Sequence, residues 1–534
     1  MALKVVSNTL YSTDPRTGDT ISEFSATNPE DIPEIFERAK SAFKTWSDLT
    51  LKTRLELFRK AYRQFYLYQD EVAQLISQET GKPLAEAYSS EILPILDCFK
   101  YYLKNIPKFL KSHRTGSLNP LFKLRRGLVK YEPLGVIAVI SPWNFPFLLA
   151  MQHIIPAILA GNAVIHKPSE LTSLTGLKIL EIFDRAYLPK NVLNIVTGLS
   201  DVGQALGKSK FDKIMFTGST EIGKKVYQAA ADNLVPVNME LGGSDPMIVL
   251  KDANIERAVN AAVWGAFSNA GQACLSVERL FIDESIIEVF CEKLSEKTRE
   301  LMAKPDCKTD IDLSCLINDR QFEKICSYIE DASDKGATVL FGGKPLKDLG
   351  DLYFEPTLLT NVNSNMDVVK NEIFGPVITA TPFITEEEAI FLANDSSFGL
   401  SASVWTQDLK RGVRIANQIH AGSVIVNDLQ IHIAQMEAPY TGFKTSGIGV
   451  SHGPWGVMEV VRPKYINTDR LIARSVLKIL SKDLVNNNIW WYKYSEKLVN
   501  DFRVFNDFLH GDSIWRKINA IPATIKALFR KNYI

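Results

Sequence analysis

Cysteine pairs, histidine clusters, long apolar runs and an excess of either charge are all missing from this 534-residue chain. Its cysteines, Cys98, Cys274, Cys291, Cys307, Cys315 and Cys326, form no C-x-x-C pair and have no histidine at ligand spacing. That argues against a disulfide framework and a structural zinc site, and no metal is expected. Unpaired thiols point to a reducing, intracellular setting. Lysine plus arginine and aspartate plus glutamate balance at 61 each, so the whole chain carries no electrostatic footprint for nucleic acid. No run of about 18 apolar residues is available to span a bilayer. The opening Met1-Ala-Leu-Lys-Val-Val-Ser-Asn8 lacks the apolar stretch of a secretory signal. A cytoplasmic protein is expected. The dinucleotide fingerprint G-x-G-x-x-G after a strand is also absent from the first half.

What is present is an α/β grammar. Residues 1–114 read as an extended lead-in followed by helices, one beginning near Pro29 and one carrying helical apolar spacing from Leu51 to Ser77. From Val136-Ile-Ala-Val-Ile140 onward, short apolar runs alternate with helical patterns. Further predicted strands centre on Ile165, Leu193, Met215 and Val237, then on Ile248, Phe281, Leu340, Thr379 and Ile425. This alternation predicts two doubly wound α/β domains meeting near Gly242-Gly243, with ligands at the carboxyl ends of the strands.

Four segments could carry chemistry. In Asn269-Ala-Gly-Gln-Ala-Cys274-Leu-Ser276 a thiol lies between small-residue turns; it is either a nucleophile or one more buried apolar side chain. Glu240, ahead of Gly242-Gly243, ends a predicted strand and suits a mobile general base or a solvated turn. Asn144 could donate to an oxyanion or cap a helix. The turn Thr217-Gly218-Ser219-Thr220-Glu221-Ile222-Gly223-Lys224-Lys225 approaches a nucleoside-triphosphate loop, but Lys225 stands where the Mg²⁺-binding hydroxyl belongs. A plain strand-to-helix turn, or a pyrophosphate seat made of free N–H groups, remains open there.

Taken in order, seven segments resemble the NAD(P)-dependent aldehyde dehydrogenase superfamily. They are Pro142-Trp-Asn-Phe-Pro146, His166-Lys-Pro-Ser-Glu170, Phe216-Thr-Gly-Ser-Thr-Glu-Ile-Gly223, Met239-Glu-Leu-Gly-Gly243, Gly271-Gln-Ala-Cys274, Glu372-Ile-Phe-Gly-Pro376 and Lys444-Thr-Ser-Gly-Ile-Gly449. The resemblance implies Cys274 as nucleophile, Asn144 as oxyanion donor and Glu240 as the base that activates water against a thioester. It implies NAD as cofactor, with NADP as the alternative, held by Trp143, Lys167, Glu170, Gly218, Ser219, Gly223, Glu372 and Phe374. It also implies an NAD-binding domain over 1–114 and 135–242, a catalytic domain over 243–440, and oligomerisation strands at 115–134 and 460–470. A homodimer or homotetramer is expected. Ser451 departs from the pattern by standing where many members carry a second glutamate that relays protons.

Leu148, Phe267, Ala273, Leu275 and Tyr440 suggest an apolar pocket for a small-molecule aldehyde, aliphatic or aromatic, rather than an acidic semialdehyde. A non-catalytic scaffold and a nucleoside triphosphatase are the rival classes. The last part, 476–534, falls outside the resemblance. It combines the aromatic Ile489-Trp-Trp-Tyr492 with Ile514, Trp515, Ile518, Ile521, Ile525, Leu528 and Phe529 at helical spacing among Arg516, Lys517, Lys526, Arg530 and Lys531. Such a segment could dock on protein or lie peripherally on an anionic membrane.

Overall fold

The computed structural model describes residues 9–116, 125–301, 312–469 and 496–528. Two strands at the start, β1 (Thr9–Thr13) and β2 (Thr20–Ser25), form an antiparallel pair. β3 (His113–Thr115) and β4 (Arg125–Pro133) follow a set of helices. The first large sheet takes β5 (Val136–Ile140), β6 (Ala163–Lys167), β7 (Leu193–Ile195), β8 (Lys213–Thr217) and β9 (Val237–Glu240). The second takes β10 (Asp245–Val249), β11 (Val277–Asp283), β12 (Thr338–Phe341), β13 (Thr357–Thr360), β14 (Val377–Phe383), β15 (Ser401–Trp405) and β16 (Ser423–Val426). β17 (Gly447–Ile448) returns to pair antiparallel with β9, and β18 (Val461–Asp469) joins β4 and β3.

Both large sheets are doubly wound. The first runs β17-β9-β8-β5-β6-β7, parallel except for β17, and its order reverses between β5 and β8. The second runs β12-β13-β14-β11-β10-β15-β16, with β12 its antiparallel edge. The residues of β5, β6, β8 and β10 are buried almost throughout, as expected where helices cover both faces of a parallel sheet. β13 and β15 did not stand out in the sequence. In β15 the reason is chemical: Ser401 and Ser403 are buried, and Trp405 Nε1 donates to the Ser403 hydroxyl at 3.1 Å. The apolar stretch Leu51–Ser77 is two helices, Leu51–Leu67 and Gln69–Thr80, because Tyr68 leaves helical backbone (φ −99°, ψ 13°).

By contact the chain separates into two units, residues 1–109 with 132–462, and residues 110–131 with 463–534. The first holds both large sheets. The second holds most of the β18-β4-β3 sheet and a helical pair, Glu496–His510 and Ile514–Leu528, whose members pack on each other. Residues 489–492 and 529–531 lie outside the described residues, as does Cys307.

One helix of the first unit sets the geometry of everything beside it. Leu148–Ala160 is buried along its whole length, so its terminal backbone groups need partners from the protein. Arg54 donates to Leu159 O (3.0 Å) and Ala160 O (3.4 Å) at one end, and Trp46 Nε1 donates to Ile158 O at 2.8 Å. At the other end Glu91 Oε2 accepts from the N–H groups of Phe147 (2.8 Å) and Leu148 (3.2 Å). Glu91 Oε1 is paired with Lys82 Nζ at 2.7 Å, both side chains being fully buried. Lys82 Nζ in turn donates to Asn144 O at 2.7 Å and sits 4.0 Å from the Phe145 ring centre.

Removing one member of a buried ion pair leaves the other charged, desolvated and unpaired, at a cost of about 3–5 kcal/mol. Lys82→Met is therefore expected to lower the thermal unfolding midpoint by several degrees. Calorimetry giving a midpoint equal to wild type would contradict this account of the loop.

Candidate active site

The helix Ile255–Phe267 stops at Ser268, and the chain then makes three successive left-handed residues, Asn269 (φ 52°), Ala270 (φ 54°) and Gly271 (φ 70°). For Ala270 this conformation costs roughly 1–2 kcal/mol. At Gly271 any Cβ would strike Gly375 O. Side-chain hydrogen bonds hold the turn. Asn269 N–H donates to Glu86 (2.9 Å), and its amide reaches Asn144 O (3.2 Å) and Gln272 O (3.1 Å). The Gln272 amide donates to Asn269 O (3.0 Å) and accepts from Ile317 N–H (2.9 Å). Cys274 emerges from this turn half-buried, its Sγ 3.6 Å from Tyr440 Oη. Burial pushes the Cys274 thiol up to about 12, Glu372, Asp245 and Glu240 add to the rise, and the Tyr440 hydroxyl opposes it.

Asn144 lies in the turn after β5 and does not cap the next helix, whose first N–H groups go to Glu91. Its Nδ2 donates to Gln272 O at 3.0 Å, which brings the amide to the loop carrying Cys274. Glu240, at the carboxyl end of β9, is buried among polar side chains. Gln152 Nε2 donates to Oε2 at 2.9 Å, and the Ser451 hydroxyl donates to Oε1. Burial raises the Glu240 carboxyl to about 7, with its hydrogen bonds pulling the other way. His153 Nε2 lies 3.7 Å from Oε1. Burial lowers that imidazole to about 3, so the contact joins a neutral ring to the carboxyl and is no ion pair at neutral pH.

Gln152 and His153 interrupt an otherwise apolar helix, and that interruption was the sequence signal for a polar function on its buried face. His452 Nε2 extends the network to Gln152 Oε1 at 2.9 Å. Lys82, in the turn after the helix Gln69–Thr80, and Glu86 and Glu91, on short helices, carried no comparable signal, because charged residues in turns and on helices are ordinarily solvated.

The other expected residues gather around the strand ends. Lys167 ends β6, almost wholly buried, and spends one hydrogen bond on Pro168 O at 3.3 Å. Burial lowers its ammonium, while Glu170 and Asp201 hold it up. Ser219 caps the helix Thr220–Ala231, its hydroxyl accepting from Ile222 N–H at 3.4 Å. Gly223 lets that helix close on Leu241, since a Cβ there would lie 2.5 Å from a Leu241 methyl. At Gly218 a Cβ would lie 2.7 Å from the Phe216 ring. Lys225 pairs with Glu221 on the exposed face at 2.7 Å, away from a phosphate seat. Glu372 Oε1 accepts from Gly243 N–H at 3.0 Å, and burial raises its carboxyl to about 7. Phe374, with φ 56°, meets the edge of Trp143 at 5.6 Å between ring centres.

Leu148, Ala273 and Leu275 are buried, and Leu275, Leu400 and Tyr440 cluster with Cys274 and Ile433. Phe267 is buried and packs with Leu280, Ile282 and Ile378 on the second sheet.

Among the described residues, no group of three or more His, Cys, Asp or Glu could hold a metal ion, and no helix is long and apolar enough to cross a membrane. Residues 4–466 match the model of the aldehyde dehydrogenase family. The chain is similar to a 4,4′-diapolycopene aldehyde oxidase from Methylomonas, 34% identical over 94% of this chain and 92% of that protein. It is also similar to a putative NADP⁺ succinate-semialdehyde dehydrogenase from Mycobacterium tuberculosis, 34% identical over 85% of this chain and 88% of the other. Among solved structures it resembles a betaine aldehyde dehydrogenase from Staphylococcus aureus in complex with NAD⁺, with 32% identity and a TM-score of 0.83 over 91% of this chain and 94% of that one. With the family match covering most of its length and the fold agreeing throughout, this chain belongs to the aldehyde dehydrogenase family of NAD(P)-dependent oxidoreductases.

Proposed function

We propose that this protein oxidises an apolar aldehyde to its carboxylic acid with NAD, the ends of the first sheet supplying the cofactor seat, Asn144 and Glu240, and the loop before β11 of the second supplying Cys274. The carrying observation is the convergence on one loop of the Cys274 thiol, the Asn144 amide and, from the neighbouring strand end, the Glu240 carboxyl. Deprotonated Cys274 adds to the carbonyl carbon. The resulting oxyanion accepts hydrogen bonds from the Asn144 amide and the Cys274 backbone N–H. After oxidation to the thioester, Glu240 takes a proton from water, which attacks the carbonyl, and the sulfur leaves as thiolate. A carboxyl near 7 suits that base, being substantially ionised at neutral pH while still able to hold a proton.

The residues present fit a dinucleotide. Lys167 has donors left beyond its bond to Pro168, and the Glu170 carboxylate suits ribose hydroxyls better than a 2′-phosphate, favouring NAD over NADP. Gly218, Ser219 and Gly223 would seat the pyrophosphate at a helix start, with Glu372, Phe374 and Trp143 toward the nicotinamide. The bound nicotinamide supplies the two-electron acceptor.

An apolar substrate follows from the lining. Leu148, Ala273, Leu275 and Tyr440 offer no charge, and the buried Arg279 spends its guanidinium on Ser244 O, Leu392 O and Ala393 O. An acidic semialdehyde, as in the mycobacterial relative's name, would find no cation among these lining residues. The aldehyde of the Methylomonas relative's name is of the apolar class.

For association, we infer a homodimer or homotetramer built through the β18-β4-β3 sheet. The helix Ile514–Leu528 would rest on an anionic membrane surface. Ile514, Trp515, Ile518 and Ile521 are exposed, Arg516 and Lys517 supply cations, and the segment holds no acidic residue. Charge and apolar area together favour a lipid surface.

An aldehyde panel with NAD and NADP should show higher kcat/KM for a medium-chain aldehyde than for succinate semialdehyde, and none for Cys274→Ala. Preference for the acid would reject the apolar reading; retained turnover in the alanine variant would reject the nucleophile. Asn144→Ala should lose about 10²–10³ in kcat. Thioester hydrolysis should rise with pH through about 7 as Glu240 ionises. Gln152→Leu removes a hydrogen bond that favours the ionised form, so its pH–rate midpoint should move upward; a downward move would refute the assignment. Vesicles containing phosphatidylserine should pellet full-length protein and leave a variant truncated before Ser513 in the supernatant. Equal pelleting of both would remove the membrane claim.

A further inference from the structure

Tyr440 is clamped in a way its place in an apolar wall does not explain. Its ring is stacked between His432 (centres 5.7 Å apart, planes 28°) and His452 (5.4 Å, 27°). Its backbone is bridged in both directions to Ser451, with Tyr440 N–H on Ser451 O at 2.9 Å and Ser451 N–H on Tyr440 O at 2.7 Å. The same bridge thus aims one hydroxyl at each reacting group: Ser451 at Glu240 Oε1 and Tyr440 at Cys274 Sγ. Both ring nitrogens of His432 and Nδ1 of His452 are buried with no hydrogen-bond partner among the described residues. These imidazoles therefore serve the stack rather than a polar network, although His452 Nε2 also meets Gln152.

We propose that Tyr440 is a catalytic hydrogen-bond donor in this enzyme, its phenol holding Sγ of Cys274 in place and donating to the thiolate that attacks the aldehyde. The proposal rests on the assignment of Cys274 as nucleophile. The need for such a donor is visible in the surroundings. Among the described residues, Glu372, Asp245 and Glu240 are carboxyls that oppose ionisation of the thiol, and the Tyr440 hydroxyl favours it. Around the phenol stand Cys274, Glu240 and Asp245, with His432 and His452 on its faces; burial keeps both imidazoles neutral, at about 4 and about 3. Burial, with Cys274, Glu240 and Asp245 beside it, raises the phenol well above its ordinary value, so it keeps its proton and remains a donor throughout. No proton need be transferred from it.

The test is the pH dependence of Cys274 alkylation by iodoacetamide in the full-length protein, followed by mass spectrometry of the Cys274 peptide. Tyr440→Phe keeps the ring and both stacking faces while removing the donor. Its alkylation midpoint should rise by about one pH unit, leaving Cys274 about tenfold less reactive near neutrality. An unchanged midpoint would overturn the proposal. So would a shift seen in Tyr440→Leu but not in Tyr440→Phe, because packing and not the hydroxyl would then be responsible. Alkylation needs no turnover, so this result is separate from the Cys274→Ala activity assay. Loss of the nucleophile assignment appears in that assay, and loss of the hydrogen bond appears only here.

Discussion

The buried ion pair between Lys82 and Glu91 is the constraint on which the candidate site is built. It is wholly buried, and its remaining hydrogen-bonding capacity is directed at the backbone that presents Asn144 and starts the helix Leu148–Ala160. Stability alone would not favour such a pair over packed apolar side chains, given the cost of taking two charges out of water. What it supplies is position. Asn144 O is fixed by Lys82 and Asn269 together, so the turn after β5 and the left-handed turn before Cys274 are held to the same point.

Burial then sets the electrostatics of the titratable groups gathered here. It raises Cys274 and Glu240 and lowers His153, His432 and His452, each toward its neutral form. A site this desolvated needs local hydrogen bonds to recover charged states when the reaction demands them. Gln152 and Ser451 do so for Glu240, and the Tyr440 hydroxyl is placed to do so for Cys274. Where a second glutamate might have relayed protons, Ser451 contributes a neutral hydroxyl. The neighbouring Gln152–His452 contact replaces charge with a chain of neutral partners.

The sheets were legible in the sequence wherever strands are buried on both faces, because a continuous apolar run such as Val136–Ile140 has few other interpretations. β15 escaped because buried serines read as surface residues until their partners are known. The motif residues were legible too, each as a short segment with its own chemistry. Their support was not. Glu86 and Glu91 look like solvated helix residues in one dimension, and Lys82 like a solvated turn residue.

What the sequence determined by itself is therefore the fold class and the family, since residue type and local pattern suffice for those; the thiol, amide and carboxyl it offered are candidates. Only the tertiary structure decided which groups face one another: that Glu240 meets Gln152 and Ser451, that Tyr440 is stacked between His432 and His452, and that Lys82 reaches Asn144. Lys82 and Asn144 lie 62 residues apart, Gln152 and Glu240 88, and Glu240 and Ser451 211, and no local periodicity encodes such a meeting. It is fixed by the packing of two sheets and one buried helix, whose backbone ends must find partners inside the protein.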